Sequence, residues 1–144
     1  MNMKYLVILS ICVLSNIQIS LGHCQIPCGI YDDLMRIHQM KEHVVTIEKS
    51  IKKLADNPND NQSVRWVMNK EIHADKLSEI VTYYYMAQRI KPGMPEYAKK
   101  LALLHELLVT SMKVKQEADL VHVAKLNDLI HAFEHAYLGE SHEH

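Results

Sequence analysis

DDLMRIHQMKEHVVTIEKSIKKLADNPNDN, residues 32–61, decides the fold class. Ile37, Met40, Val44, Ile47, Ile51 and Leu54 recur at alternating steps of three and four, which gathers them into one apolar stripe on a helix. Asp32-Asp33 supply capping chemistry ahead of that stripe, and residues 56–61 (DNPNDN) are a run of turn formers behind it. The pattern predicts a first helix ending near Ala55, with a stripe of the kind that packs on other helices.

The same rhythm continues downstream. A second helix is expected from about Ser63 to Ile90, with Trp66, Lys70, His73, Leu77, Ile80, Tyr84 and Ala87 in register, two of the first three being polar. It stops at Lys91-Pro-Gly-Met-Pro95. A third begins near Glu96, with Leu101, Leu104 and Leu108 on one face and Leu103 and Leu107 widening the stripe. A fourth carries Val123, Leu126, Ile130, Phe133 and Tyr137 and ends at Gly139, a residue suited to terminating helices. No Gly or Pro separates the last two helices. An unbroken helix of some 40 residues would strand its apolar stripe in water, so a turn is expected at residues 113–116. Four helices with short connections imply an all-α protein, an antiparallel up-down-up-down four-helix bundle over residues 32–144.

Upstream, Lys4 precedes the apolar run Tyr5–Leu14, and Ser20-Leu21-Gly22 puts small residues at the third and first places before a cut. The run is short for a membrane span and is diluted by Asn16 and Gln18. Residues 1–22 therefore read as a cleaved signal peptide, an uncleaved anchor being the alternative, and the product as secreted, periplasmic or lumenal. Cleavage removes Cys12 and leaves 122 of the 144 residues, one domain with a core of its own. The signal contains one Lys and no acid, so the mature chain keeps 15 of the 16 basic residues against 17 acidic ones. That balance lacks the basic patch nucleic-acid binding needs.

Cleavage after Gly22 would turn residues 23–31, HCQIPCGIY, into a new terminus: a free amine, an imidazole and two thiols within six residues. Thiolates are soft donors; the amine and a deprotonated amide are strong-field nitrogens. Two nitrogens and two sulfurs in a plane suit nickel(II) or copper(II) better than zinc, which prefers a tetrahedron. Amine and amide of the first two residues close one five-membered ring, and the Cys24 thiolate closes another on the same amide. Cys28 returns four residues later through the bend at Pro27 and Gly29, leaving the His23 imidazole to approach along the axis. On the two cysteines alone, a Cys24–Cys28 disulfide in a secreted helical protein is the favoured reading. A disulfide, however, has no need of His at the first mature position.

At these residues the chain resembles the nickel superoxide dismutase family, whose mature terminus has the form His-Cys-x-x-Pro-Cys-Gly-x-Tyr. His23, Cys24, Pro27, Cys28, Gly29 and Tyr31 meet it without a gap. The resemblance implies a four-helix bundle assembled as a homohexamer. It implies nickel held by the amine and imidazole of His23, the amide nitrogen and thiolate of Cys24 and the thiolate of Cys28. Pro27 would shape the loop and Tyr31 would guard access. Superoxide would be converted to oxygen and hydrogen peroxide by Ni(II)/Ni(III) cycling.

Three positions depart from the family pattern. Gln25 stands where many members have Asp. Gln39 and His73 stand where a Glu and an Arg commonly orient the axial imidazole. A changed surround of this kind leaves room for a second reading, a nickel or copper binding protein without turnover. Arg36 is a candidate for attracting superoxide or, equally, a solvated helix-face charge. His131-Ala-Phe-Glu-His135 matches one zinc-peptidase pattern, but Phe133 and Tyr137 occupy the core stripe and no third ligand is evident. His122, His142 and His144 read as metal-recruiting or simply solvated. The methionines read as core and loop filler, and Tyr83-Tyr84-Tyr85 is expected to send at least one ring inward.

Overall fold

The computed structural model describes residues 27–139, which are helical throughout apart from their connections. Four helices follow one another: α1 (Asp33–Ala55), α2 (Asp60–Glu79, continued by a π-helical stretch Ile80–Arg89), α3 (Tyr97–Gln116) and α4 (Leu120–Leu138). No strand occurs among the described residues. Residues 1–22, expected to form a signal peptide, the residues of the hook before Pro27 and the C-terminal histidines lie outside them.

α1 forms as its sequence dictates. The Asp32 carboxylate accepts from the Met35 amide at 2.9 Å, satisfying one of the open donors of the first turn. Ile37, Met40, Val44, Ile47 and Ile51 are buried, and Leu54 is half-buried at the C-terminal end of the stripe. Asn59 caps α2 by accepting from the Gln62 amide, so this helix starts at Asp60, three residues earlier than its apolar pattern suggests. Asp119 does the same for α4 by accepting from Val121.

Two expectations are corrected. Residues 113–116 are helical, and the break between α3 and α4 falls at residues 117–119. Capping by Asp119, rather than a Gly or Pro, makes that turn. The buried line of α2 keeps Lys70, Leu77 and Tyr84 but runs through Ala74, Val81 and Gln88. His73 and Ile80 are only half-buried, and Ala87 is exposed. The stripe is turned by one residue at alternate positions: Ala74 and Val81 are buried, while His73 faces His43 on α1.

The core gathers these stripes with Leu104, Leu107, Val114, Val123, Leu126, Ile130 and Phe133. At one end Tyr85 meets Phe133 edge-on at 4.8 Å between centroids, and Phe133 stacks on Tyr137 at 5.4 Å. At the other, buried Lys70 on α2 donates to the carbonyls of Val114 and Lys115 at 2.7 and 2.6 Å, closing the open acceptors at the end of α3. The end of α3 is thereby tied to α2 rather than left to its own geometry.

Candidate metal centre

The hook enters the described structure at Pro27. Cys28 is an exposed free thiol, and Gly29 has φ +78°, a backbone conformation that suits glycine and turns the chain toward α1. His23, Cys24 and Gln25 lie outside the described residues. The fit to a thiophilic metal rests on the donor set: an accessible cysteine on a glycine turn, preceded by Pro27.

Tyr31 is the first hook residue with a full set of contacts. Its hydroxyl donates to Gln88 Oε1 at 3.3 Å, its ring lies edge-on to Tyr84 at 5.8 Å, and the Arg89 guanidinium sits 4.4 Å above it. Arg89 was not marked out by the sequence; it is placed there by Asp33, the first residue of α1. Asp33 Oδ1 accepts from Arg89 Nε at 2.8 Å and from the Tyr84 hydroxyl at 2.6 Å. Its Oδ2 accepts from Arg89 Nη2 at 2.6 Å and from the Tyr137 hydroxyl at 3.0 Å. The Asp33 carbonyl takes the Tyr85 hydroxyl at 2.7 Å. Three helices thus converge on one residue.

The electrostatics follow from this convergence. Burial alone would raise the Asp33 pKa, but the Arg89 guanidinium and the Tyr84 and Tyr137 hydroxyls together hold it below the usual carboxylate range. Burial and the Asp33 charge raise Tyr84, and they push Tyr137 up to about 12. Burial raises Tyr85, with the Asp33 charge adding to it. The hydrogen bond to Asp33 raises Arg89. The cluster is locked as one carboxylate, one guanidinium and three neutral phenols.

Beside the hook a cleft of about 560 Å³ is lined by Pro27, Arg36, Gln39, Glu42, His43 and Tyr84 among others. Arg36 is half-buried, lies 5.2 Å over the Tyr84 ring and donates to Gln39 Oε1 at 2.9 Å. Of its two expected settings, that beside the hook is the one found. Gln39 therefore turns to Arg36, while His73 turns to His43, with 3.1 Å between their Nδ1 atoms. His43 carried no sequence signal, since it lies off the α1 stripe.

The competing signals come to little. Glu134 of the peptidase-like pattern is paired with Lys41 at 2.6 Å, His131 is exposed, and no group of three or more metal-ligating side chains forms among the described residues. His122 pairs with Glu117 at 2.9 Å. Met40 is fully buried while Met68 and Met112 are exposed, and Tyr84 and Tyr85 point inward while Tyr83 does not.

Among comparisons with known proteins, the family model for nickel-containing superoxide dismutase matches residues 18–141. No curated protein and no solved structure matches. The match spans most of the chain, and the chain belongs to that family. It is therefore an oxidoreductase of the superoxide dismutase class with nickel as its cofactor.

Proposed function

We propose that cleavage after Gly22 creates the site, exposing the His23 amine at the start of a hook spanning residues 23–31. Nickel would be held by the amine and imidazole of His23, the amide nitrogen and thiolate of Cys24, and the thiolate of Cys28. When bound, it supplies the Ni(II)/Ni(III) couple by which superoxide becomes oxygen and hydrogen peroxide. The observation that carries this reading is the exposed Cys28 thiol on its glycine turn, tied through Tyr31 to a rigid base, in a chain of this family.

The protein's own side chains do the remaining work. Arg36 has no carboxylate partner among the described residues, so it adds positive potential at the cleft beside the hook, where a small anion is focused. Arg89 is neutralised by Asp33 and acts on Tyr31 instead, fixing the ring that screens the hook. The bundle is read as up-down-up-down because the start of α1 bonds to the end of α2, and Lys70, midway along Asp60–Glu79 of α2, to the end of α3. Export and assembly as a hexamer complete the proposal. The exposed apolar side chains Val64, Met68 and Ile72, spaced four apart on α2, supply surface for subunit contacts.

A second reading, nickel binding without turnover, is favoured by one observation: Gln39 and His73, at the positions that commonly orient the axial imidazole, are engaged with Arg36 and His43. One experiment separates the two. Protein starting at His23 is compared with protein carrying one extra Ala before it, for nickel content and superoxide dismutation. Activity only in the first supports the amine as a ligand, and equal activity in both refutes it. Tight nickel binding without activity in either selects the second reading.

A further inference from the structure

Between α1 and α2, beside the cleft that Pro27 also lines, two imidazoles face one another. His43 Nδ1 and His73 Nδ1 are 3.1 Å apart, on rings 5.0 Å between centroids and tilted by 73°. Two neutral imidazoles can share one hydrogen across that gap. The same gap is also that of two nitrogens on one cation: with metal–nitrogen bonds of about 2.0–2.1 Å, it subtends an angle of about 98°. That value lies between square and tetrahedral coordination, so the spacing suits one cation once each ring turns its Nδ1 toward it.

The surroundings favour it. The two residues are 30 apart in sequence, so their meeting is fixed by the packing of α1 on α2 and not by a flexible loop. Both rings are half-buried. Burial, then for His43 the facing His73, and for both the nearby Lys76, lower their pKa values, which keeps the rings neutral as metal ligands must be. His43 lines the cleft that also reaches Pro27, where Glu42 and Glu79 on the walls balance Arg36 and Lys76 in number. A hydrated cation thus has both a route and room for its remaining waters.

We propose that His43 and His73 form a second metal site, distinct from the hook, which takes one borderline divalent cation such as Zn(II) or Ni(II) with water completing its coordination. No third metal-ligating side chain joins the pair among the described residues. Two imidazoles and water make an exchangeable site, weaker than an amine–thiolate hook. The site uses none of the hook's ligands and stands or falls separately from the dismutase reading.

The test uses protein that begins at Ile26, so that every ligand of the hook but Cys28 is gone, with Cys28→Ser, titrated with Zn(II) alone. Side-chain nitrogen spectra should show the ring resonances of His43 and His73 shifting by the first equivalent. Affinity by calorimetry should fall by at least about tenfold in His43→Gln and in His73→Gln, and stay unchanged in His105→Gln, an exposed histidine of α3. Zn(II) should raise the Tm of the parent but not of those two variants, because only the folded pair binds it. Ring resonances of His43 and His73 that stay put through the first equivalent would overturn the proposal. So would a Zn(II)-induced Tm rise that persists in both variants, since the metal would then sit elsewhere, for example on His142 and His144.

Discussion

Replacing Asp33 by Asn should test the base of the hook most directly. The side chain is about one-fifth exposed and accepts two contacts from Arg89 and one each from Tyr84 and Tyr137. Asn keeps one acceptor oxygen but turns an amino group toward donors, and it leaves the Arg89 charge uncompensated. Hydrogen bonds to charged groups contribute about 1.5–3 kcal/mol each, and partial exposure reduces that. A net loss of about 2–4 kcal/mol follows, or about 8–16 °C in Tm for a domain of this size.

Thermal unfolding at pH 7 measures it, and a cycle with Arg89→Gln should show coupling of about 1 kcal/mol or more. The pH dependence has a definite sign. A carboxyl held below its ordinary value contributes stability that is present above about pH 4 and lost as pH falls through the folded-state pKa. The gap between parent and Asp33→Asn should therefore narrow on acidification below pH ~4. Nickel content should be retained while turnover per nickel falls, because Arg89 no longer fixes Tyr31. A Tm loss of less than about 3 °C at pH 7, or a gap that widens in acid, would refute the reasoning.

Lys70→Met removes the buried ammonium that closes the Val114 and Lys115 carbonyls. It should cost about 1–3 kcal/mol, read as a lower urea midpoint with an unchanged slope. An unaltered midpoint would show that water replaces the lysine there. The nickel-free protein starting at His23 should lose part of its thiols to a Cys24–Cys28 disulfide in air, so that nickel loading needs reductant. Thiols that remain titratable after prolonged aeration would count against this.

What the sequence made legible follows from period. α1 is found close to its expected bounds because its stripe is uniformly apolar and both ends carry turn chemistry. α3 and α4 are found, but their junction is displaced because Asp119 marks it by a side-chain cap, a signal spread over two residues and easily missed. The hook motif is visible because its residue types are rare together. Asp33, Arg89 and Gln88 are not, since an acid in a first helical turn and polar residues near a helix end occur in most helices. His43 escaped because a contact 30 residues long leaves no local pattern.

The end of α2 shows why periodicity failed where function begins. In an α-helix, residues five apart point about 140° away from each other, so Tyr84 and Arg89 could not both reach one carboxylate. The stretch Ile80–Arg89 instead bonds five residues apart, as in the contact from the Ile90 amide to the Tyr85 carbonyl at 2.9 Å, and that pitch brings them toward one face. π-Helical geometry is intrinsically poor, and here it is offset by the bonds its residues make to Asp33 and to Tyr31. Tyr31 is therefore held less by its own loop than by the second helix. The hook, joined to the bundle by a single strand of chain, gains a fixed platform because α2 abandons α-helical regularity over its last ten residues.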